Sequence, residues 1–459
     1  MFGGILVLKK EWTRTYATLG FLLAGLSALR CFTLPGNTPL GRVVLPAAML
    51  AVGILAVVLL KKSGADRDTL AFLLLPIGLA LFLRAFLLPH ATLDYQDFLS
   101  QWVEHFRQNG GFAALKDPVG NYNVPYLYLL AFFSYLPIPD LILIKLFSIL
   151  FDVLLAWGGL RLTRRLAGPD QKAPFVCFSA LLLLPTVVLN GAYWGQCDTV
   201  YAALCLHALA CALEDRSKTS LALLALSLAF KLQAIFIIPL WCALWFSRRI
   251  KFRHLFVFPG VFFLSMAPAL LLGKPAGDIL SIYLTQAGDP GQHRYLNFNS
   301  PSVFSLLPYG MEVDVEAASR AGIAAAFVFT LVLLGLLFWR RKSLTNLHFF
   351  WSAAALCLGI PFFLPYMHER YFFLGGVLLV VGACVSPRTT PAAAAAELAS
   401  LGGYHAYLMT RYAMTVTLFG ITWAQLGEGL LMLGALAATV IPLAAGLLRP
   451  STGNRFPLF

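Results

Sequence analysis

The chain has 459 residues, 59% of them hydrophobic and only 12% charged. A soluble domain carries roughly 25% Asp, Glu, Lys and Arg, so the deficit excludes a soluble globular protein, a disordered chain and a disulfide-built secreted scaffold. The net charge of +13 comes from 34 Lys and Arg against 21 Asp and Glu, gathered in short clusters between apolar runs, as in cytoplasmic loops, with no basic stripe of interleaved aromatics to bind nucleic acid.

Apolar runs predict membrane-spanning helices near 15–35, 43–60, 69–89, 174–190, 198–213, 219–230, 233–247, 254–272, 321–339, 346–364, 370–386, 404–423 and 428–448. The runs are continuous rather than alternating, which excludes an outer-membrane barrel. A full crossing takes about 20 residues, so 219–230 and 233–247 read as a short hairpin. Region 124–160 reads as one crossing plus a membrane-embedded piece. With Lys9-Lys10 inside, the clusters Arg161–Arg165, 214–218, 248–254 and 340–342 then all fall inside. The expectation is an all-α polytopic membrane protein of about 13–14 spans, a single domain over 1–459 with both termini cytoplasmic. Residues 1–89 form its N-terminal spans, 90–123 an outer loop, 124–272 the central spans, 273–320 a second outer loop and 321–459 the C-terminal spans. Pro391 ahead of the alanine run 392–396 reads as a helix start. The eight Cys are scattered without a CxxC pair and read as small buried apolar residues.

Polar residues are costly beside a bilayer and are functional candidates by default. Five groups fall on the predicted outer side. The first is Leu93-Asp94-Tyr95-Gln96-Asp97-Phe98 with Gln101-Trp102. A carboxylate there can serve as general base, and on a helix Asp94, Asp97 and Gln101 share a face. The second is Asn190-Gly191-Ala192-Tyr193-Trp194-Gly195-Gln196-Cys197-Asp198, where the glycines allow close approach of a ligand and the aromatics suit a sugar ring. Lys231-Leu232-Gln233 is the third; a lysine between two apolar helices seeks an anion or a carboxylate. The fourth is the loop 273–320, with Asp289, His293, Arg294, Asn297 and Asn299. The fifth is Met367-His368-Glu369-Arg370-Tyr371-Phe372, where the arginine suits a phosphate. The competing assignments are an interfacial amphipathic helix for the first group, a capping acid for Asp198, a snorkelling Lys231 and an internal ion pair at 368–370.

No GxxxxGK[ST], strand-borne GxGxxG, HExxH or nucleophile elbow occurs. An activated substrate therefore arrives without a nucleotide, and a lipid-linked donor suits an outward-facing site.

Taken in order, these groups resemble the GT-C superfamily of membrane glycosyltransferases, and more narrowly the bacterial relatives of the second mannosyltransferase of GPI-anchor assembly. The matching residues are Asp94, Phe98 and Trp102; Tyr122-Asn123-Val124-Pro125-Tyr126-Leu127-Tyr128; Trp194-Gly195-Gln196 with Asp198; Lys231 with Gln233; and Met367 to Phe372. The His-Glu pair is also similar to that of the glucosyltransferases of N-glycan assembly. The chain departs from the family in carrying Asn123-Val124 before Pro125, where a Pro-Pro pair is usual, and in placing three spans before Asp94.

The resemblance implies a GT-C helix bundle whose outer loops and juxtamembrane helices form the site. It implies inverting transfer of a monosaccharide, mannose by default, from a polyprenyl-phosphate donor to a hydroxyl of a glycan, glycolipid or protein acceptor. Asp94 is then the base, with Asp97 in reserve. Lys231, His368, Arg370 and Arg294 hold the donor phosphate. Trp194, Gln196, Asp198, Gln233, Glu369, Tyr122 and Asn299 line the sugar or acceptor pocket. The donor is a substrate and no cofactor is expected, a metal ion being left open. The partners are lipids and the two substrates, without nucleic acid, and the place is a bacterial inner membrane with the site extracytoplasmic. The alternatives are a transporter or flippase of a lipid-linked sugar, which should show an inverted repeat, and a noncatalytic membrane subunit.

Overall fold

The computed structural model describes residues 10–168, 172–287, 295–307, 313–411, 417–418 and 421–448. The chain is an all-α polytopic membrane protein. Among the described residues, eight helices are long and apolar enough to cross a membrane: Trp12–Phe32, Pro39–Lys62, Arg67–Leu87, Asp140–Leu166, Phe252–Leu271, Val315–Trp339, Asn346–Phe363 and Trp423–Leu448. Ala173–Leu182 and Pro185–Trp194 make a ninth when counted as one span bent by 43°. The bend falls at Leu184, whose extended backbone (ψ 124°) is what a following proline imposes.

Five further helices are apolar but short: Val124–Phe133, Asp198–Leu213, Ser217–Phe230, Leu232–Phe246 and Phe373–Val385. A 13-residue helix reaches about 20 Å at 1.5 Å per residue, against a hydrocarbon core of about 30 Å. Several apolar runs expected as full spans are therefore short helices. Asp198–Leu213 is buried along nearly its whole length, so protein rather than lipid surrounds it. Region 124–160 resolves into the short Val124–Phe133 helix and one crossing-length helix, Asp140–Leu166.

The expected span 404–423 is corrected. The helix there runs Thr390–Leu408 with Pro391 in its first turn, and Thr417–Leu418 pairs antiparallel with Ile421–Thr422 just before Trp423–Leu448 begins. The alanine run thus starts a helix, but that helix ends where a span was expected to begin. Asp289, His293 and Arg294 lie outside the described residues, so the expected role of Arg294 has no structural counterpart here. The charged positions Lys9, Arg449 and Arg455 lie outside them too.

Packing follows the small residues. The helices Lys10–Phe32 and Arg67–Leu87 cross at Gly20 and Gly78, where an added Cβ would stand 2.3 Å from the Leu74 or Gly20 carbonyl oxygen. Backbones meet this closely only where side chains are absent. A buried ion pair then ties this bundle to the centre. Arg84 Nε lies 2.8 Å from Asp152 Oδ2, both residues at most 1% exposed, and Arg84 Nη2 donates to the Leu182 carbonyl at 2.9 Å. One guanidinium thereby joins three helices around the kinked span.

Candidate active site

Two short π-helical turns, Tyr95–Leu99 and Leu189–Trp194, carry the first two motifs. Such wide turns concentrate at functional sites. They face one another and are stitched together: Thr92 Oγ1 donates to the Trp194 carbonyl at 3.0 Å, and the His90 and Tyr193 rings stack at 3.9 Å. Gly195 follows the second turn at φ 82°, a left-handed conformation that costs a residue with a Cβ about 1–2 kcal/mol. That reversal frees Gln196 to point back across the first turn.

Asp94 is the meeting point. Trp194 Nε1 donates to its Oδ2 at 2.9 Å, Gln196 Nε2 donates to the same oxygen, and the Tyr407 hydroxyl donates to Oδ1. Three donors from two segments fix the carboxylate while leaving it half-buried. Gln196 relays outward, because its Oε1 accepts from the Tyr122 hydroxyl and from Lys231 Nζ, each at 3.3 Å.

Behind this layer lies an ion-pair layer. Lys231 sits where the Ser217–Phe230 helix breaks into extended backbone (φ −153°, ψ 133°). Its Nζ reaches Asp198 Oδ1 at 2.6 Å and lies over the Tyr122 ring at 5.5 Å. Asn190 Nδ2 donates to the other Asp198 oxygen at 2.7 Å. Arg370 Nη1 donates to Glu369 Oε1 at 2.7 Å, and the guanidinium stands 5.4 Å over the Trp194 ring. Arg370 Nε and Glu369 Oε2 are buried with no hydrogen-bond partner. Each has a charged or polar neighbour beyond hydrogen-bond range, Asp198 Oδ2 at 4.0 Å from Arg370 Nε and His368 Nδ1 at 3.9 Å from Glu369 Oε2, and such unpaired buried atoms call for an explanation.

His368 is placed by backbone pairing, since Met367–His368 runs parallel to Asn297–Phe298. Its ring stacks on Phe298 at 4.9 Å and its Nδ1 is 3.9 Å from Glu369 Oε2. Burial, with Arg370 and Lys231 adding to it, holds the imidazole below its usual pKa, so His368 is neutral near pH 7. Burial pushes the Glu369 carboxyl up to about 7, against the pull of Arg370. With Glu369 ionised, Lys231 and Arg370 face three carboxylates: Asp94, Asp198 and Glu369. Among the described residues no three of His, Cys, Asp and Glu gather as a metal-ligand group.

The structure brings together Asp94, Tyr122, Trp194, Gln196, Asp198, Lys231, His368, Glu369 and Arg370. It separates Asp97, which is exposed and joins none of these contacts. The wider i→i+5 turn carries position 97 away from the face it would share with Asp94 on an α-helix. Asp198 and Glu369, expected to line a pocket, are fully buried and act as internal counter-ions. Trp194 is equally buried and serves the Asp94 carboxylate through its indole N–H. Asn299 contributes backbone: it bridges to His368, and its carbonyl oxygen lies 2.6 Å from where a Cβ on Gly403 would stand. Gln233 is buried beside Tyr371.

Three participants were missed in the sequence. Tyr407 stacks on Trp194 at 4.8 Å. Tyr404, one turn earlier, accepts from Asn190 Nδ2 at 3.2 Å. Lys145 Nζ donates to the carbonyls of Leu87 and Leu88 at 3.2 and 3.1 Å and to that of His90, so it caps the Arg67–Leu87 helix just ahead of Asp94. Two hydroxyls three residues apart on an apolar helix were the available signal for the tyrosines. Placing that stretch in a lipid-facing span hid it.

Residues 121–365, more than half of the chain, match the profile of glycosyltransferase family 87. The chain belongs to that family. The matched segment holds Tyr122, Trp194, Gln196, Asp198, Lys231, Gln233 and Asn299, while Asp94 precedes it and His368, Glu369, Arg370 and Tyr407 follow it. No curated protein sequence matches closely enough to count as a relative.

Proposed function

We propose that this glycosyltransferase is of the GT-C type and moves a monosaccharide, mannose by default, from a polyprenyl-phosphate donor to an acceptor hydroxyl with inversion. The site lies at the extracytoplasmic face of a bacterial inner membrane, with both termini cytoplasmic. The observation that carries this reading is the juxtaposition of one oriented, half-buried carboxylate with a guanidinium held between Glu369 and Asp198. Asp94 takes the proton of the acceptor hydroxyl. Arg370 meets the donor phosphate and offsets the charge that grows on it as the glycosidic bond breaks. Neutral His368 adds a hydrogen bond without adding charge. Lys231, held by Asp198, supplies positive potential from behind. Glu369, released from Arg370 when the phosphate binds, takes up a proton from water, which offsets the loss of its ion-pair partner. A single displacement needs one base and no enzyme nucleophile, which fits the isolation of Asp97.

The test is incubation of the purified protein in lipid nanodiscs with a panel of polyprenyl-phosphate sugars, read by mass spectrometry. The expected result is release of polyprenyl phosphate with transfer of the sugar by the wild type, and its loss in Asp94→Asn while the fold persists. Transfer that survives in Asp94→Asn and in the Asp94→Asn/Asp97→Asn double variant sinks the assignment of the base. Passage of the intact donor across the bilayer without a new glycosidic bond would instead establish a transporter.

A further inference from the structure

A cavity of about 210 Å³ opens between residues 118–127, where the loop enters the Val124–Phe133 helix, and the helix Ala276–Ala287. By liquid volume it holds about seven waters, space for one sugar ring. Tyr122 forms part of its wall and is also the residue that reaches Gln196, which in turn holds Asp94. The cavity therefore lies one aromatic ring and one amide away from the carboxylate.

Its polar lining is mixed in kind. Lys274 is 8% exposed and gives one hydrogen bond, to the Asp117 carbonyl at 2.8 Å, while an ammonium has three to give. Asp278, Ser281 and Asn123 complete the polar wall, and the Asp278 charge acts on Lys274. One ammonium facing one carboxylate makes a poor phosphate site. Donors and acceptors side by side around a tyrosine ring suit a neutral, hydroxyl-rich ring that needs both. Gly120 shapes the rim: at φ 68° its missing Cβ leaves room for the Trp102 ring, which a Cβ would meet at 2.9 Å, and Trp102 in turn braces Tyr122 edge-on at 5.7 Å.

We propose that this cavity is the subsite for the acceptor's sugar ring. The donor's sugar is bonded to its phosphate and so belongs beside Arg370. None of Arg370, Lys231, His368 and Glu369 lines the cavity. The cavity is reached past Tyr122, whose outer face lines it while Lys231 lies over the same ring. That the ring is an acceptor rests on the transferase reading above; that a saccharide binds here does not.

The experiment is saturation-transfer NMR on the full chain in nanodiscs with octyl α-mannoside, octyl β-glucoside and octyl β-galactoside as probes. The expected result is saturation of the ring protons of at least one probe. Binding should be about tenfold weaker in Lys274→Met and in Asp278→Asn, the loss that goes with one hydrogen bond, and unchanged in Arg370→Gln. Asp278 is exposed at the start of its helix, so its variant keeps the test valid should Lys274→Met fail to fold. Ring saturation no greater than empty nanodiscs give, or binding indifferent to Asp278→Asn, overturns the proposal. So does binding lost in Arg370→Gln alone, which moves the sugar to the charged cluster. Saccharide binding here with no transfer from any polyprenyl-phosphate donor would leave this subsite standing and remove the catalytic reading.

Discussion

Tyr407 shows how one hydroxyl shapes the chemistry at the carboxylate. It occupies Asp94 Oδ1, the oxygen left over once Trp194 and Gln196 hold Oδ2. Tyr407→Phe should lower kcat about tenfold, the worth of one hydrogen bond to a charged group, with the KM for donor little changed. An equal fall in donor affinity would show that the hydroxyl serves binding instead. Glu369 sets a pH dependence. Its folded pKa of about 7 stands above the ordinary 4.5, so the native state keeps a proton that the unfolded state has lost. The stability this contributes is complete below pH 4.5 and is lost as pH rises through 7, by about 3 kcal/mol in all. Thermal denaturation in detergent should show the wild type losing stability between pH 5 and pH 7.5, and Glu369→Gln losing distinctly less. Equal slopes would mean that Arg370 keeps Glu369 ionised throughout. At this scale the sequence was informative where a residue type is scarce in apolar surroundings. Asp94, Lys231 and Arg370 stand out for that reason. Tyr407 does not, because a tyrosine is ordinary at a membrane helix end.

The break after Ser217–Phe230 and the start of Asp198–Leu213 are joined by one ion pair, Lys231 to Asp198. Both residues are at most 4% exposed, so removing either partner leaves a buried charge, at a cost of about 3–5 kcal/mol. Lys231→Met should lower the melting temperature sharply, and adding Asp198→Asn should restore part of the loss. A double variant no more stable than the single one would show that the pair is not coupled. The helix periods and the Lys231 break were legible from hydropathy. The two π-turns were not, since no composition distinguishes a π-turn from an α-turn, and that is why Asp97 was grouped with Asp94. The end of the helix Thr390–Leu408 was assigned to a span at 404–423 because apolar length was read as membrane contact, whereas much of this helix is buried against protein.

For the whole molecule, the charge pattern makes a directional statement that geometry can test. The short helix Val124–Phe133 and the long helix Asp140–Leu166 separate Asp97 from Arg165, both exposed. Cysteines placed at 97 and at 165, in a background with exposed Cys242 replaced by Ser, should label from opposite faces of the membrane. Labelling from one face would mean that Val124–Phe133 also crosses and that every later loop is inverted. The scarcity of charge made the membrane class plain from the sequence. How many apolar runs cross fully was not plain, because an apolar residue meets protein and lipid alike.

The carbonyl grip of Lys145 has a mechanical consequence. The three helices between residues 10 and 87 supply no side chain to the cluster around Asp94, yet the last of them ends in the hold of a single ammonium, six residues short of that carboxylate. The position of Asp94 is thereby tied to the end of the Arg67–Leu87 helix. Helix tilt answers to hydrocarbon thickness, so on the proposed mechanism the surrounding lipid also bears on where Asp94 acts.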